Sequence, residues 1–157
     1  MTTEPNRLEQ QLRRVLEGDA WHGPSVLEAL AGVSAAQAAA HPIAGAHSIW
    51  ELVLHLSSDH DLILRRLAGD ARQLTPDEAW PPCPAPTEEH WQRTLQELRR
   101  GNVRLRQAVV EFPDERLDQP LTADAPYTAY TQFIGVTQHH CYHAGQIVLL
   151  KRALAGR

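Results

Sequence analysis

The chain has 157 residues, 43% of them hydrophobic and 22% charged, which is enough for one domain with a core that needs no disulfide. Its formal net charge of -4 lacks the basic excess with which duplex-binding proteins neutralise phosphates, so we expect no nucleic-acid partner. No apolar run reaches the ~18–20 residues that cross a bilayer. The segment 1–7 also lacks the apolar stretch of a signal peptide. We therefore predict a single cytoplasmic domain over residues 1–157, without membrane contact.

Apolar residues recur at helical spacing in four long stretches, and no stretch alternates as a strand would. The first long helix is predicted over 5–16, and a shorter helical piece over 24–32 follows it. The connector between these two pieces carries Trp21, whose indole we expect to pack onto the core. A loop through Gly45 then leads to the second long helix, predicted over 48–67.

The second half of the chain contains a proline-rich connection and two more helices. Five prolines in the segment 71–86 exclude a long helix there and imply a crossover over the surface. Thr87 is followed by two acidic residues, which is typical of a helix start. We predict that the third long helix begins here and ends before Pro113. The fourth helix is predicted over 128–154. Four long helices with two long connections indicate an all-α four-helix bundle.

The fourth helix carries a histidine pair suited to metal binding. His139 and His143 are four residues apart, so both imidazoles leave the same face of the helix, one turn apart. Val136 and Leu150 continue this row, which places the pair beside the core. Buried imidazole nitrogens need partners, and one divalent metal ion satisfies two of them. Because the chain has nine histidines, the spacing alone is weak evidence, and two hydrogen-bonded histidines remain the alternative.

A third ligand is available on the second helix. His55 lies beside the apolar stripe of that helix, and helix axes in a bundle are about 8–10 Å apart, so its ring could meet the same ion. His60, His140 and Cys141 point elsewhere by their helical positions, and we expect surface or packed side chains there. Three histidines with a water form an open site, whereas structural zinc sites usually close with four protein ligands.

Two carboxylates flank His55 at a distance of one helical turn. Glu51 precedes it and Asp59 follows it by four residues, so either could orient the ring through a hydrogen bond. Exposed helix carboxylates are the alternative interpretation. Imidazole ligands permit zinc, nickel, cobalt or iron, and we expect zinc or nickel.

Three runs of sequence resemble one known family. The runs 18–25, 47–55 and 139–147 are similar to the DinB-like family, the damage-inducible, YfiT-type group of metal-binding helical bundles. The most specific motif is the last, a His-x-x-x-His-x-Gly-Gln-Ile run that begins at His139. The resemblance covers nearly the whole chain.

The resemblance implies both a topology and a set of ligands. It implies an up-down-down-up bundle, often a homodimer, with a divalent metal ion held by His55, His139 and His143. Gln146 matches the family motif and would border the site, with plain packing as the alternative. Gly145 is expected to permit the close approach of a neighbouring helix.

The sequence also limits the chemistry. It contains no nucleophile elbow, P-loop or dinucleotide-binding glycine motif, so covalent catalysis by the protein itself is unsupported. A three-histidine metal ion could activate a water for hydrolysis or hold a thiolate. Some proteins that the sequence resembles are transferases or isomerases that use low-molecular-weight thiols.

Two further interpretations stay open. If the protein is a thiol transferase, a basic rim would hold the carboxylates of the thiol, with Arg65, Arg66 and Arg152 as candidates and exposed helix charges as the alternative. If the metal is structural, the chain is a non-catalytic bundle that acts as a binding or stress-related module. A bundle that binds no metal is the remaining possibility.

Overall fold

The regular structure of the chain is helical in the computed structural model, which describes residues 2–123 and 125–156. No strand occurs in these two ranges, so the predicted all-α class is confirmed. The four long helices are α1 (Glu4–Glu17), α4 (Ile49–Leu67), α6 (Glu88–Val110) and α7 (Ala129–Ala155). The connections contain three short helices, α2 (Val26–Leu30), α3 (Ala35–Ala39) and α5 (Pro76–Ala79), and a 3₁₀ turn, Asp114–Arg116.

Side-chain caps fix where the helices α4, α6 and α7 begin. The Ser48 hydroxyl accepts a hydrogen bond from the Glu51 backbone N–H (3.2 Å), and the Glu51 carboxylate accepts one from the Ser48 N–H (2.6 Å). Thr87 caps α6, and Thr128 caps α7 by accepting from the Thr131 N–H (3.1 Å). Such caps satisfy N–H groups that have no partner inside the helix. The predicted starts of the three later long helices are confirmed.

The long helices enclose a core in which α4 and α1 each pack against both α6 and α7. Near one end, the rings of Trp50 and Trp91 lie 5.0 Å apart. Their indole N–H groups donate to the Thr94 hydroxyl and the Val33 carbonyl, respectively, so these large side chains are buried without an unpaired donor. The contact between α4 and α7 brings the two predicted histidine-bearing helices together.

A second histidine pair occupies the interior of the bundle. His60 of α4 and His140 of α7 are completely buried, and their rings stack with centroids 4.8 Å apart. The described residues provide no hydrogen-bond partner for either nitrogen of His60 or for Nε2 of His140. On α6, a Cβ atom at Gly101 would lie 2.9 Å from Nδ1 of His60. Glycine is therefore what lets α6 approach this ring.

Several local expectations were wrong. The Trp21 side chain is fully exposed, in the turn that connects α1 to α2, and does not pack onto the core. The short helical piece starts after Ser25, whose side chain forms a capping box, and not at Pro24. Gly145 is exposed, and a Cβ atom there would have nothing within 4 Å, so it serves no close helix contact.

The connections contain more helix than predicted. The helix α3 lies where a loop was expected, since Ser34 caps five residues of alanine and glutamine. The proline-rich crossover between α4 and α6 is confirmed, with only the four-residue α5 inside it. Among the described helices, none is both long enough and apolar enough to cross a bilayer.

Candidate metal centre

Three histidines from α4 and α7 converge on one point. Nε2 of His139 lies 3.3 Å from Nε2 of His55 and 2.7 Å from Nε2 of His143. One ligand atom from each ring lies within 4.8 Å of the other two, which is close enough for the three side chains to hold a single metal ion. His60, His140 and Cys141 lie outside this cluster.

The outer nitrogen of each of these rings is hydrogen-bonded to an acceptor. A ring that donates through Nδ1 carries its proton there, so in the neutral imidazole Nε2 has a free lone pair. All three lone pairs therefore face the same point. The three hydrogen bonds are His55 Nδ1 to the Ala79 carbonyl (2.7 Å), His143 Nδ1 to Gln146 Oε1 (2.6 Å), and His139 Nδ1 to the Asp59 carboxylate.

This donor set fits a divalent transition metal. Three lone pairs this close together repel one another unless a cation lies between them, and imidazole nitrogen is a preferred ligand of such ions. Burial lowers the pKa of His143 to about 4, so its ring is neutral at pH 7 and offers a lone pair and not a proton. Three protein donors also leave a coordination position for water or substrate.

The proline-rich crossover completes the surroundings of His55. The Trp80 ring stacks on His55, with centroids 3.9 Å apart and planes 4° apart, and on its other face it stacks on His47 at 3.7 Å. The adjacent residue, Ala79, supplies the carbonyl that accepts from His55. Sequence reasoning missed both contacts, since no periodic pattern connects a residue in the crossover to a histidine on α4.

Charged residues hold this part of the crossover in place. The Glu78 carboxylate accepts hydrogen bonds from Arg72 (2.8 Å) and from the Thr75 backbone N–H (2.8 Å), and these bonds, the Arg72 one foremost, lower its pKa. Arg65, one of the predicted rim residues, lies 3.5 Å from the same carboxylate. These contacts tie the short helix before Trp80 to the end of α4.

The predicted orientation of His55 by a carboxylate was wrong. Glu51 caps α4 and accepts a hydrogen bond from His41 (3.0 Å), so its carboxylate is engaged at the start of the helix. Asp59 lies one turn beyond His55, but its carboxylate reaches across to Nδ1 of His139. A backbone carbonyl therefore orients His55, and Asp59 orients the ring on the opposite helix.

A cavity of about 330 Å³ lies between α4 and α7 beside the histidine cluster. Asp59 and His139 line it at one end, and Arg66 and Gln132 line it further along. Of the other predicted rim residues, Arg65 lines a different groove and Arg152 is exposed on the last turn of α7.

Comparison with protein families matches residues 20–147 to the DinB superfamily. The chain belongs to the DinB superfamily. The matched region contains all three histidines of the cluster and ends within α7. Comparison of this DinB superfamily chain with curated proteins and with solved structures found no significant match. The homodimer and the up-down-down-up topology stay predictions.

Proposed function

We propose that this DinB superfamily chain is a divalent-metal-dependent enzyme that acts on a small molecule, with His55, His139 and His143 as the ligands. The observation that supports the proposal is the convergence of three Nε2 lone pairs whose rings are each fixed by a hydrogen bond at Nδ1. We expect zinc or nickel in the site, because both are bound well by imidazole.

The residues around the site support hydrolysis or the transfer of a low-molecular-weight thiol. A bound divalent ion would supply an activated water for the first reaction or a position for a thiolate in the second. Asp59 holds His139 in the tautomer that presents Nε2, and Gln146 does the same for His143. Trp80 covers one face of His55 and limits the access of water to that ring.

A structural role for the metal is the second candidate. Its ligands come from two long helices, α4 and α7, so an ion held by them would fasten these helices together. The free energy of metal binding would then contribute directly to folding. The chain would in that case be a non-catalytic binding or stress-related module.

The first experiment measures metal content and affinity. Protein purified without a histidine tag is analysed for transition metals before and after reconstitution with zinc or nickel, together with His55→Ala, His139→Ala and His143→Ala. We expect about one equivalent in the wild type and a large loss in each variant. His22→Ala removes an exposed histidine and is the matched control. A wild type that retains under about a tenth of an equivalent after reconstitution would disprove the metal site.

The second experiment separates catalysis from structure. A panel of activated esters, and of electrophiles offered with low-molecular-weight thiols, is assayed before chelation, after it and after metal is restored, while Tm is recorded for each state. We expect activity that disappears and returns with the metal. A large loss of Tm on chelation, with no activity on any member of the panel, would support the structural alternative.

A further inference from the structure

Two hydrogen-bonded pairs join α4 to α7 along the cavity beside the histidine cluster. At one end the Asp59 carboxylate accepts from His139, and further along Arg66 Nη1 donates to Gln132 Oε1 (2.6 Å). The two partners on each helix are seven residues apart. Seven residues of α-helix rise about 10 Å, so the cavity extends roughly that far from the histidine cluster to the arginine.

Among the residues that the structure describes, Arg66 is a cation without an anionic partner. Two of its five N–H groups donate to neutral amides, those of Gln132 and Gln73 (2.9 Å), and the other three make no hydrogen bond within the described ranges. In the part of the chain that the structure describes, no carboxylate oxygen lies within 4.0 Å of its guanidinium nitrogens. Gln132 is itself buried, and its Nε2 donates to the Tyr127 carbonyl, so the guanidinium is held in a fixed position.

The wall between the two ends of the cavity combines apolar and polar side chains. Leu62 and Ile63 of α4 and Val136 of α7 supply its apolar part, and Thr131 and Gln138 of α7 also line it. Gly135 also lines it, and a Cβ atom there would have nothing within 4 Å, so the groove is open at this position. A volume of about 330 Å³ is within the range of small-molecule sites, which combine apolar side chains with polar groups that orient the ligand.

We propose that this groove binds an elongated acid, whose carboxylate pairs with Arg66 and whose unbranched apolar body lies on Ile63 and Val136 and points toward His139. A guanidinium presents paired N–H donors in the geometry that a planar carboxylate accepts. An unbranched acid of about eight carbons matches the span of roughly 10 Å. Binding of the acid in this groove does not require a metal ion. Only a role of the acid as the substrate of the enzyme rests on the proposed function.

Octanoate is the probe for this site. It is titrated into metal-free and metal-loaded protein by calorimetry, and the methyl NMR signals of Ile63 and Val136 report where it binds. Octanamide removes the charge, and acetate removes the apolar body. We expect octanoate to shift these methyl signals and to bind at least ~10-fold more tightly than either control, since octanamide lacks the charged partner of Arg66 and acetate lacks the apolar contact.

Two pairs of variants test the two parts of the proposed site, the Arg66 guanidinium and the groove beside it. Arg66→Gln is expected to bind octanoate at least ~10-fold more weakly, while Arg152→Gln, an exposed arginine outside the groove, binds as the wild type. Gly135→Leu keeps Arg66 and its contacts but fills the groove, and leucine is a better helix former than glycine, so folding is preserved. Gly145→Leu makes the same change at an exposed position of α7 outside the groove and should bind octanoate normally.

The outcomes separate this inference from the proposed function. Equal affinity for octanoate and octanamide, unchanged affinity in Arg66→Gln and Gly135→Leu, or shifts confined to other methyl groups would each overturn the acid-binding groove, even if the protein binds metal. Loss of binding in both variants on a protein that takes up no metal would establish the groove and disprove the metal-dependent enzyme.

Discussion

Asp59 on α4 accepts a hydrogen bond from Nδ1 of His139 on α7, so a carboxylate of one helix fixes the tautomer of a histidine on the other. The histidine of the cluster on the same helix as Asp59, His55, is oriented by the carbonyl of Ala79. Hydrogen bonds at the outer nitrogen of a ligand histidine hold the ring in place and raise its basicity. This contact also joins the two helices that carry the histidine cluster.

Replacement of Asp59 by asparagine should therefore weaken metal binding. We expect Asp59→Asn to lower the affinity for zinc by about 10–100-fold, because His139 loses the carboxylate that fixes its tautomer. Competition with a chromogenic chelator measures the affinity. Glu51→Gln makes the same change of charge on α4 at a residue outside the histidine cluster, and it should bind zinc as the wild type. An affinity in Asp59→Asn equal to that of Glu51→Gln would show that Asp59 does not support the site.

The stacking of Trp80 on His55 predicts a second loss of affinity. Trp80→Ala removes the ring that covers His55, and we expect zinc affinity to fall by up to about tenfold, since such ring contacts are worth ~0.5–1.5 kcal/mol. The same chelator competition measures it. Trp21→Ala removes a fully exposed indole and should change neither affinity nor, beyond about 0.5 kcal/mol, the free energy of unfolding. If the two variants behave alike, the crossover does not position His55.

Two glycine-to-alanine substitutions should have opposite effects on stability. Gly101→Ala places a Cβ atom 2.9 Å from Nδ1 of the buried His60 ring, and we expect a loss of about 1–3 kcal/mol in the free energy of unfolding. Gly145→Ala meets open space and should gain about 0.5–1 kcal/mol, because alanine loses less conformational entropy in a helix. Urea denaturation measures both. A stabilised Gly101→Ala protein would contradict the close packing of α6 on His60.

The buried His60 predicts a loss of stability in acid. Burial lowers its pKa from 6.5 to about 4, so as the pH falls the unfolded chain takes up the proton before the folded one does. The contribution of the neutral His60 ring to the free energy of unfolding is fully present above about pH 6.5. As the pH falls toward about 4, this contribution is lost, and the free energy of unfolding decreases by about 3 kcal/mol in total. Urea denaturation of the metal-free protein across this range measures the loss.

A matched pair of variants isolates the part that His60 contributes. His60→Leu should lose stability less steeply between about pH 6.5 and pH 4, while His22→Ala, which removes an exposed histidine, should follow the wild type. If the free energy of unfolding fell equally steeply with pH in His60→Leu and in the wild type, the acid sensitivity would arise from other groups.

Local patterns explain which parts of the fold were predictable. The helix that starts after Ser48 and the one that starts after Thr128 follow from a cap and a run of helical spacing, which act within a few residues. The placement of Trp21 and the short helix α3 could not be predicted in the same way, since they depend on what space the core leaves and on a marginal five-residue element.

The sequence by itself determined that the chain is helical and that His139 and His143 leave one face of α7, because both properties depend on neighbours within one or two turns. Only the tertiary structure decided that Asp59 serves His139, that Ala79 and Trp80 serve His55, and that Arg66 ends a cavity beside the cluster. These contacts join residues far apart in the chain. They depend on the course of the crossover and on the packing of α4 against α7, and neither follows from a periodic pattern in the sequence.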